Sequence, residues 1–176
     1  MLTEPATGFA APRTIARLWQ DAVAGERERA AYLVKHGEEW REVSWAEAAQ
    51  AVDELAHGLL DLGVRKGDSF AILASTRLEW ALFDFALALI GAVGAPVYAT
   101  SSPKDVNYVV EHSDAVGILC EDEEQRAKLG EPALGYVLTL ADLESLRARG
   151  RDHAREHPDA VREAAAQVGG SALRNR

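Results

Sequence analysis

The segment SFAILASTRLEWALFDFALALIGAVGAPVY, residues 69–98, decides the fold that the sequence predicts. It begins with the continuously apolar run SFAILA (69–74), which is typical of a strand buried on both faces. We predict that Ser75 or Thr76 caps the helix that follows, and that APVY (95–98) forms the next strand. A strand, a helix and a second strand in this order imply a crossover connection between parallel strands.

The alternation of strands and helices continues on the C-terminal side. Ser102, followed by Pro103 at the first helical position, opens a helix that is predicted to end near His112. The elements predicted after it are strands at 115–120 and 136–140, with a short polar helix at 122–129 between them. The predicted class is therefore α/β, with a mostly parallel sheet flanked by helices.

The N-terminal side supplies further helices and a hairpin. Ser44 and Glu47 form a capping box, in which each side chain accepts a hydrogen bond from the other residue's backbone N–H. The apolar residues behind them recur at helical spacing as far as Gly63, a left-handed stop. The other elements predicted here are an amphipathic helix at 12–24 and a hairpin of two short strands, 31–35 and 40–43, with Gly37 in its turn.

The composition changes near residue 144. Residues 1–143 are predicted to form a partial N-terminal domain, whereas 144–176 is rich in Arg, Glu and Ala and has few large apolar residues. We predict that 144–176 is a charged helical and disordered tail. Its helix should cover 158–168 and stop at Gly169, and its last half-dozen residues should be disordered.

Charge and cysteine content exclude several classes of function. The 176 residues carry 28 acidic and 19 basic side chains, for a net charge of −9, so a nucleic acid would be repelled. Cys120 is the single cysteine, which excludes an internal disulfide and a thiolate metal cage and fits a reducing compartment. Residues 1–11 lack the basic and apolar regions of a secretion signal. We therefore expect a cytoplasmic protein.

The apolar stretch 81–99 is nearly long enough to cross a membrane. It carries Asp84 in its first turn and is interrupted by Gly91, Gly94 and Pro96. Such breaks favour a buried helix that leads into a buried strand. No transmembrane span is predicted, and a peripheral contact with a membrane surface is left open.

Residues 44–115 resemble the N-terminal subdomain of the adenylate-forming acyl-CoA synthetases. The resemblance is carried by LGVRKGD (62–68), AILASTRLEWALFDFA (71–86) and GAVGAPVYATSSPKDVNYVVEHSDA (91–115), which occur together in the family's order and spacing. Within the family, YATSSPKDV (98–106) is more similar to the long-chain fatty-acyl-CoA synthetases than to the amino-acid-activating relatives. The resemblance implies an incomplete copy of the adenylate-forming fold, from an enzyme that converts fatty acid, ATP and CoA into acyl-CoA, AMP and pyrophosphate.

The catalytic residues of that family have no matching positions in this sequence. The resemblance implies ATP, Mg²⁺ and CoA for the intact enzyme, yet the 176 residues contain no Ser/Thr- and Gly-rich phosphate loop that ends in a lysine. They also lack the aromatic-acidic motif that follows this loop, the hinge aspartate and the C-terminal lysine. We therefore predict no cofactor in this chain and no catalysis by it alone, and we assign no catalytic residue.

Two turns follow the carboxyl ends of predicted parallel strands, where ligands of α/β sheets tend to bind. The candidate substrate-binding residues in these turns are Ser75 and Arg77 in the first, and Tyr98, Thr100, Ser101 and Ser102 in the second. Ser and Thr in front of a helix are more often plain N-caps, which is the alternative interpretation of the hydroxyl residues. The acidic run 121–124 lies at a predicted helix start, and we interpret it as a solvated cap rather than a cation site.

His153, Glu156 and His157 spell H-x-x-E-H, the inverted zinc-peptidase motif. The surrounding segment is highly charged, and Pro158 directly follows the second histidine, so a helix that carried the motif would be disrupted at its end. We therefore predict no metal site in this segment.

The sequence supports two hypotheses about function. In the first, the chain is the N-terminal part of a long-chain fatty acid–CoA ligase, and its partner is the missing remainder of the synthetase. In the second, it is a non-catalytic interaction or scaffold module of a split synthetase, whose exposed sheet edge pairs with a complementing subunit. A small Rossmann-type nucleotide-binding protein is disfavoured, because neither Gly-x-Gly-x-x-Gly nor a P-loop follows a predicted strand.

Overall fold

The computed structural model of the chain describes residues 14–25, 27–131 and 133–168. The elements in these residues, in chain order, are α1 Ile15–Ala24, β1 Tyr32–His36, β2 Glu39–Val43, α2 Trp45–Leu62, β3 Ser69–Leu73, α3 Leu78–Ile90, β4 Val93–Val97, α4 Pro103–His112, β5 Ala115–Cys120, α5 Glu123–Arg126, β6 Tyr136–Thr139, a 3-10 turn Leu140–Asp142, α6 Leu143–Glu156 and α7 Ala160–Val168.

Strands β3 to β6 form a parallel sheet in the order β4-β3-β5-β6, and β1 and β2 form a separate antiparallel hairpin. The central strand β3 is fully buried from Phe70 to Leu73, at 0% exposure. Phe70 and Ile72 pack into the larger core on one face, whereas Ala71 and Leu73 pack into a smaller core on the other. The predicted α/β class, with a parallel sheet flanked by helices, is confirmed.

Helix α2 has both of its predicted end signals. The Ser44 N–H donates to Glu47 Oε2 at 2.7 Å, and the Glu47 N–H donates to Ser44 Oγ at 3.1 Å, which completes the capping box. Gly63 ends the helix with φ of +98°, in the left-handed region that favours glycine. Helix α4 likewise starts as predicted, with Ser102 as N-cap and Pro103 at its first position.

Strand β4 starts two residues earlier than the sequence predicted. The Val93 N–H donates to the Asp68 carbonyl oxygen at 2.8 Å, and the ladder to β3 begins at this residue. Pro96 lies within β4 without breaking the sheet, because β4 is an edge strand and its outer side needs no backbone donor. Val93 is 57% exposed on this edge.

Helix α6 was not predicted as an element, since its residues were assigned to the charged tail. It packs closely along α2: a Cβ on Gly58 of α2 would lie 2.4 Å from the Leu146 carbonyl oxygen, so the two backbones nearly touch. Leu143 and Leu146 are buried in the larger core, and Arg147 Nε donates to the buried Glu54 carboxylate at 2.8 Å. This part of the expected tail therefore shares the core of α2.

The ends of two predicted segments fall outside the described residues. Helix α7 covers Ala160–Val168, close to the predicted 158–168, whereas Gly169, its predicted stop, and the tail predicted to be disordered lie beyond residue 168. The first two residues of the predicted helix at 12–24 precede residue 14 and therefore also lie outside the described residues. Within the described part of the chain, no helix combines the length and apolar character needed to span a membrane.

Candidate functional site

The candidate residues lie at the carboxyl edge of the parallel sheet. In the strand register, Leu73 at the end of β3 is opposite both Val97 of β4 and Cys120 of β5. Because parallel strands end at the same edge, the turns after β3, β4 and β5 leave the sheet side by side. The sequence predicted the turns after β3 and β4 as candidates, and the structure adds the residue that follows β5, Glu121.

Glu121 organises the turn after β3. Its Oε2 accepts a hydrogen bond from the Ser75 N–H at 2.7 Å, and its Oε1 accepts one from Arg77 Nη1 at 3.1 Å. Its own N–H donates to the Leu73 carbonyl oxygen at 2.9 Å, which fixes Glu121 to the end of β3. The hydrogen bonds from Ser75 and the guanidinium of Arg77 hold the pKa of the Glu121 carboxyl below its ordinary value.

The prediction that Ser75 or Thr76 caps α3 was wrong. Arg77 occupies the N-cap position of α3, with an extended backbone and no capping hydrogen bond from its side chain. The physical reason is Glu121, which accepts a hydrogen bond from the Ser75 backbone and fixes the start of the turn, so that α3 begins only at Leu78. Glu79 then lies in the first turn of the helix, where a negative charge is favoured, and accepts from Arg77 Nε at 3.2 Å.

The turn after β4 is held by its own backbone and by a lysine. Ser102 Oγ accepts from the Asp105 N–H at 3.3 Å, so the N-cap interpretation describes this serine. Lys128 Nζ donates to the carbonyl oxygens of Ala99 and Ser101, at 2.6 Å and 3.1 Å. Of the three other candidates of the turn, Tyr98 and Thr100 are exposed, Tyr98 at 82%, and Ser101 is partly buried.

Two cations of this edge, Arg77 and Lys128, are paired. Arg77 lies between the carboxylates of Glu79 and Glu121, and Lys128 is bonded to two backbone carbonyls. Arg77 and Glu79 also line a cavity of about 560 Å³ between β1 and the start of α3. The edge therefore offers exposed hydroxyls and a cavity that is lined partly by apolar side chains.

Sequence reasoning missed Glu121 and Lys128. Glu121 was grouped with the acidic run 121–124 and interpreted as part of a solvated cap. That interpretation fits Asp122, which caps α5 by accepting from the Gln125 N–H at 2.9 Å, but Glu121 is the last residue before the cap and faces β3. Its position directly after a buried parallel strand was the available signal.

The H-x-x-E-H residues lie at the end of α6 and do not belong to the turns at the carboxyl edge of the sheet. His153 is engaged with His57 of α2, their Nδ1 atoms being 2.9 Å apart. No group of three or more His, Cys, Asp or Glu side chains arranged to hold a metal ion occurs in residues 14–25, 27–131 and 133–168.

Comparison with known proteins places this geometry in a family. A family model described as AMP-binding enzyme matches residues 19–169. The long-chain-fatty-acid–CoA ligase FadD15 of Mycobacterium tuberculosis is 41% identical over 107 residues, which are 58% of this chain and 18% of FadD15. The protein Rv1549 of the same species is 30% identical over 81 residues, which are 46% of this chain and 46% of Rv1549.

Among solved structures, the N-terminal domain of FACL13 from Mycobacterium tuberculosis superposes with a TM-score of 0.68 at 16% identity, over 78% of this chain and 36% of that one. At this identity the likeness shows the fold alone. The aligned part of the chain thus spans less than a fifth of the length of FadD15, and the chain shares the fold of the N-terminal domain of FACL13. Since the family model matches most of its length, this chain belongs to the family of AMP-binding enzymes.

Proposed function

We propose that this chain forms the N-terminal part of a long-chain fatty acid–CoA ligase, and that it supplies scaffold rather than catalytic groups. The observation that carries the proposal is the 41% identity to FadD15 over 107 residues, a level at which the fold is shared. The four-stranded parallel sheet supports it, because its carboxyl edge presents the turns from which α/β enzymes build ligand sites.

The pairing of Arg77 and Lys128 supports a scaffold role. Adenylate formation requires donors that neutralise charge developing on the α-phosphate, and such donors must be free to meet the substrate. Arg77 and Lys128 are both committed to protein oxygens. The phosphate-binding groups would then come from a segment that carries the Gly-rich loop and the catalytic lysine, and ATP, Mg²⁺ and CoA would bind to the assembled enzyme. The proposed compartment is the cytoplasm, which fits the single buried thiol of Cys120.

A chimera tests whether this chain is equivalent to the corresponding part of the ligase. The 107 aligned residues of FadD15 are replaced by those of this chain, and AMP release is measured with a long-chain fatty acid, ATP and CoA. We expect fatty-acid-dependent AMP release from the chimera and none from FadD15 with the same segment deleted. A chimera that is folded by circular dichroism but inactive would contradict the proposal.

A non-catalytic module of a split synthetase is the second candidate, and one observation favours it. The protein Rv1549 has about the same length as these 176 residues, since the same 81-residue alignment covers 46% of each. The edge strand β4 offers an exposed backbone and apolar side chains, including Val93, to a complementing subunit.

Size-exclusion chromatography tests the second candidate. The chain is run alone and after co-expression with the downstream two-thirds of FadD15. A split module predicts self-association of the chain alone and a stable one-to-one complex after co-expression. A monodisperse, cooperatively melting monomer that does not bind the downstream two-thirds of FadD15 would contradict the split-module hypothesis.

A further inference from the structure

Two histidines from different helices meet inside the contact between α2 and α6. His57 of α2 is 2% exposed, and its Nδ1 lies 2.9 Å from Nδ1 of the half-buried His153 of α6. The ring of His157, at the end of α6, lies 4.9 Å from that of His153, centroid to centroid. The pair is separate from the carboxyl edge of the sheet, and nothing proposed above uses it.

The distance between the two nitrogens is that of a hydrogen bond. Two imidazole nitrogens bound to one tetrahedral metal ion, each about 2.0–2.1 Å from it, would be about 3.3 Å apart. At 2.9 Å, one Nδ1 must carry a proton and donate, and the other must be bare and accept. The geometry therefore suits a proton between the rings, not a metal ion.

The carboxylates near His57 and His153 are poorly placed to stabilise the positive charge that a further proton would add. Asp53 Oδ2 is 3.9 Å from His57 Nε2, beyond hydrogen-bond distance, and Asp53 is itself largely solvent-exposed. The buried Glu54 is occupied by Arg147 and Arg151, and Asp61 is paired with Arg149. The other charged groups near the histidines are Glu156 of α6 and four residues of the cleft that His153 and His157 line. These four are Arg65 and Lys66 from the turn after α2, and Asp159 and Glu163 from the α7 side.

We propose that His57 and His153 form a proton-sensitive link between α2 and α6, which holds while one of the two Nδ1 atoms is bare and breaks when both are protonated. When both Nδ1 atoms carry protons, two N–H groups and two positive charges face each other in a buried contact. Acidification then loosens the attachment of α6, and with it the lining of the cleft beside α7. The proton balance is simple, because the link takes its protons from solvent and returns them when the pH rises.

The sign of the effect follows from burial. Burial lowers the pKa of His57 below its ordinary 6.5, with the nearby histidines acting in the same direction and Asp53 opposing them; burial also lowers the pKa of His153. The unfolded chain therefore takes up protons at a higher pH than the folded chain, so stability is full above pH 6.5 and falls as the pH drops toward the folded pKa values. Each histidine lowers the folding equilibrium constant by up to about tenfold per pH unit in that interval. Burial raises the pKa of Asp53, which acts in the opposite direction at the acid end.

The first measurement uses the unaltered chain. Imidazole ¹H–¹⁵N correlation spectra from about pH 5 to pH 8 report which nitrogen of each ring carries a proton. We expect opposite Nδ1 states for His57 and His153 at pH 8, and protonation of both rings below the ordinary histidine value. Identical Nδ1 states, or protonation of His57 at or above the ordinary value, would overturn the proposal.

The second measurement is the pH dependence of urea unfolding for two variants. His153→Asn removes one titrating ring and keeps a hydrogen-bonding nitrogen near the Nδ1 position. His112→Asn, at the exposed end of α4, is the matched control. We expect His153→Asn to reduce the number of protons taken up on unfolding by up to one between about pH 5 and 6.5, and to do so by more than His112→Asn does. Equal pH dependence in His153→Asn and the unaltered chain would contradict the link.

Discussion

Gly150→Ala tests the contact that attaches α6 to α2. A Cβ at position 150 would lie 1.8 Å from the Glu54 carbonyl oxygen and 2.9 Å from the Gly58 backbone nitrogen. A relaxed carbon–oxygen contact needs about 3.3 Å, so the helices would have to separate by more than about 1 Å. Both obstructing atoms belong to the backbone of α2 and cannot rotate away as a side chain could.

The magnitude comes from two opposing effects. Alanine is favoured over glycine inside a helix by about 1 kcal/mol, so without a clash the variant would be more stable than the original. Overpacking a tight contact costs about 1–3 kcal/mol and at times more, and here the separation would also weaken the packing of Leu146 and the bonds of Arg147 and Arg151 to Glu54. The weakened bonds cost about 1 kcal/mol, which offsets the gain in helix propensity, so we expect a net loss of about 1–3 kcal/mol in the free energy of unfolding.

Urea unfolding followed by circular dichroism measures this loss, with Gly25→Ala as the control. A Cβ on Gly25 would have its nearest neighbour at 3.6 Å, an ordinary contact, so the control should change stability by less than about 0.5 kcal/mol. A Gly150→Ala variant stabilised by about 1 kcal/mol would refute the reasoning, because it would mean that α6 does not lie against α2 as described.

Three further predictions concern the ends of elements and the histidine motif. Ser44→Ala should lower the free energy of unfolding by about 1 kcal/mol, because the cap of α2 loses its acceptor; an unchanged urea midpoint would contradict this. Glu121→Ala should speed amide hydrogen exchange at Ser75, whose N–H would lose its partner, and unchanged exchange there would mean that Glu121 does not hold the turn. Zinc should not bind stoichiometrically to His153 and His157; one tightly held zinc per chain by elemental analysis, lost when both are replaced, would overturn that prediction.

The fold was predictable where local signals and the global arrangement agree. The capping box at Ser44, the glycine stop at position 63 and the continuously apolar runs of β3 and β5 each specify an element on their own, and the structure has all of them. Helix α6 was not predicted from the sequence, because most of its side chains are charged and few are apolar. Its contact with α2 depends on Gly150. A glycine weakens a helix locally, but here it lets the backbone of α6 approach Gly58 of α2 closely, which only the structure reveals.

The candidate site was predictable only in outline. Strand order placed the turns after β3 and β4 at one edge, and that expectation is met by the register of Leu73 and Val97. The identity of the cap of α3 was missed, because Ser75 makes its decisive hydrogen bond to Glu121, which lies 46 residues away in the chain. Helix-capping propensity depends on residues that are close in sequence, so it cannot identify a partner that is distant in sequence.

Pyrophosphate exchange tests most directly the claim that this chain is a scaffold that becomes part of an enzyme only with other segments. Exchange of labelled pyrophosphate into ATP is measured with a long-chain fatty acid, for the chain alone and for the chain joined to the downstream two-thirds of FadD15. We predict no exchange above the buffer blank for the chain alone and fatty-acid-dependent exchange for the joined protein. Exchange by the chain alone that persists through repeated purification, or a folded joined protein without exchange, would contradict the account.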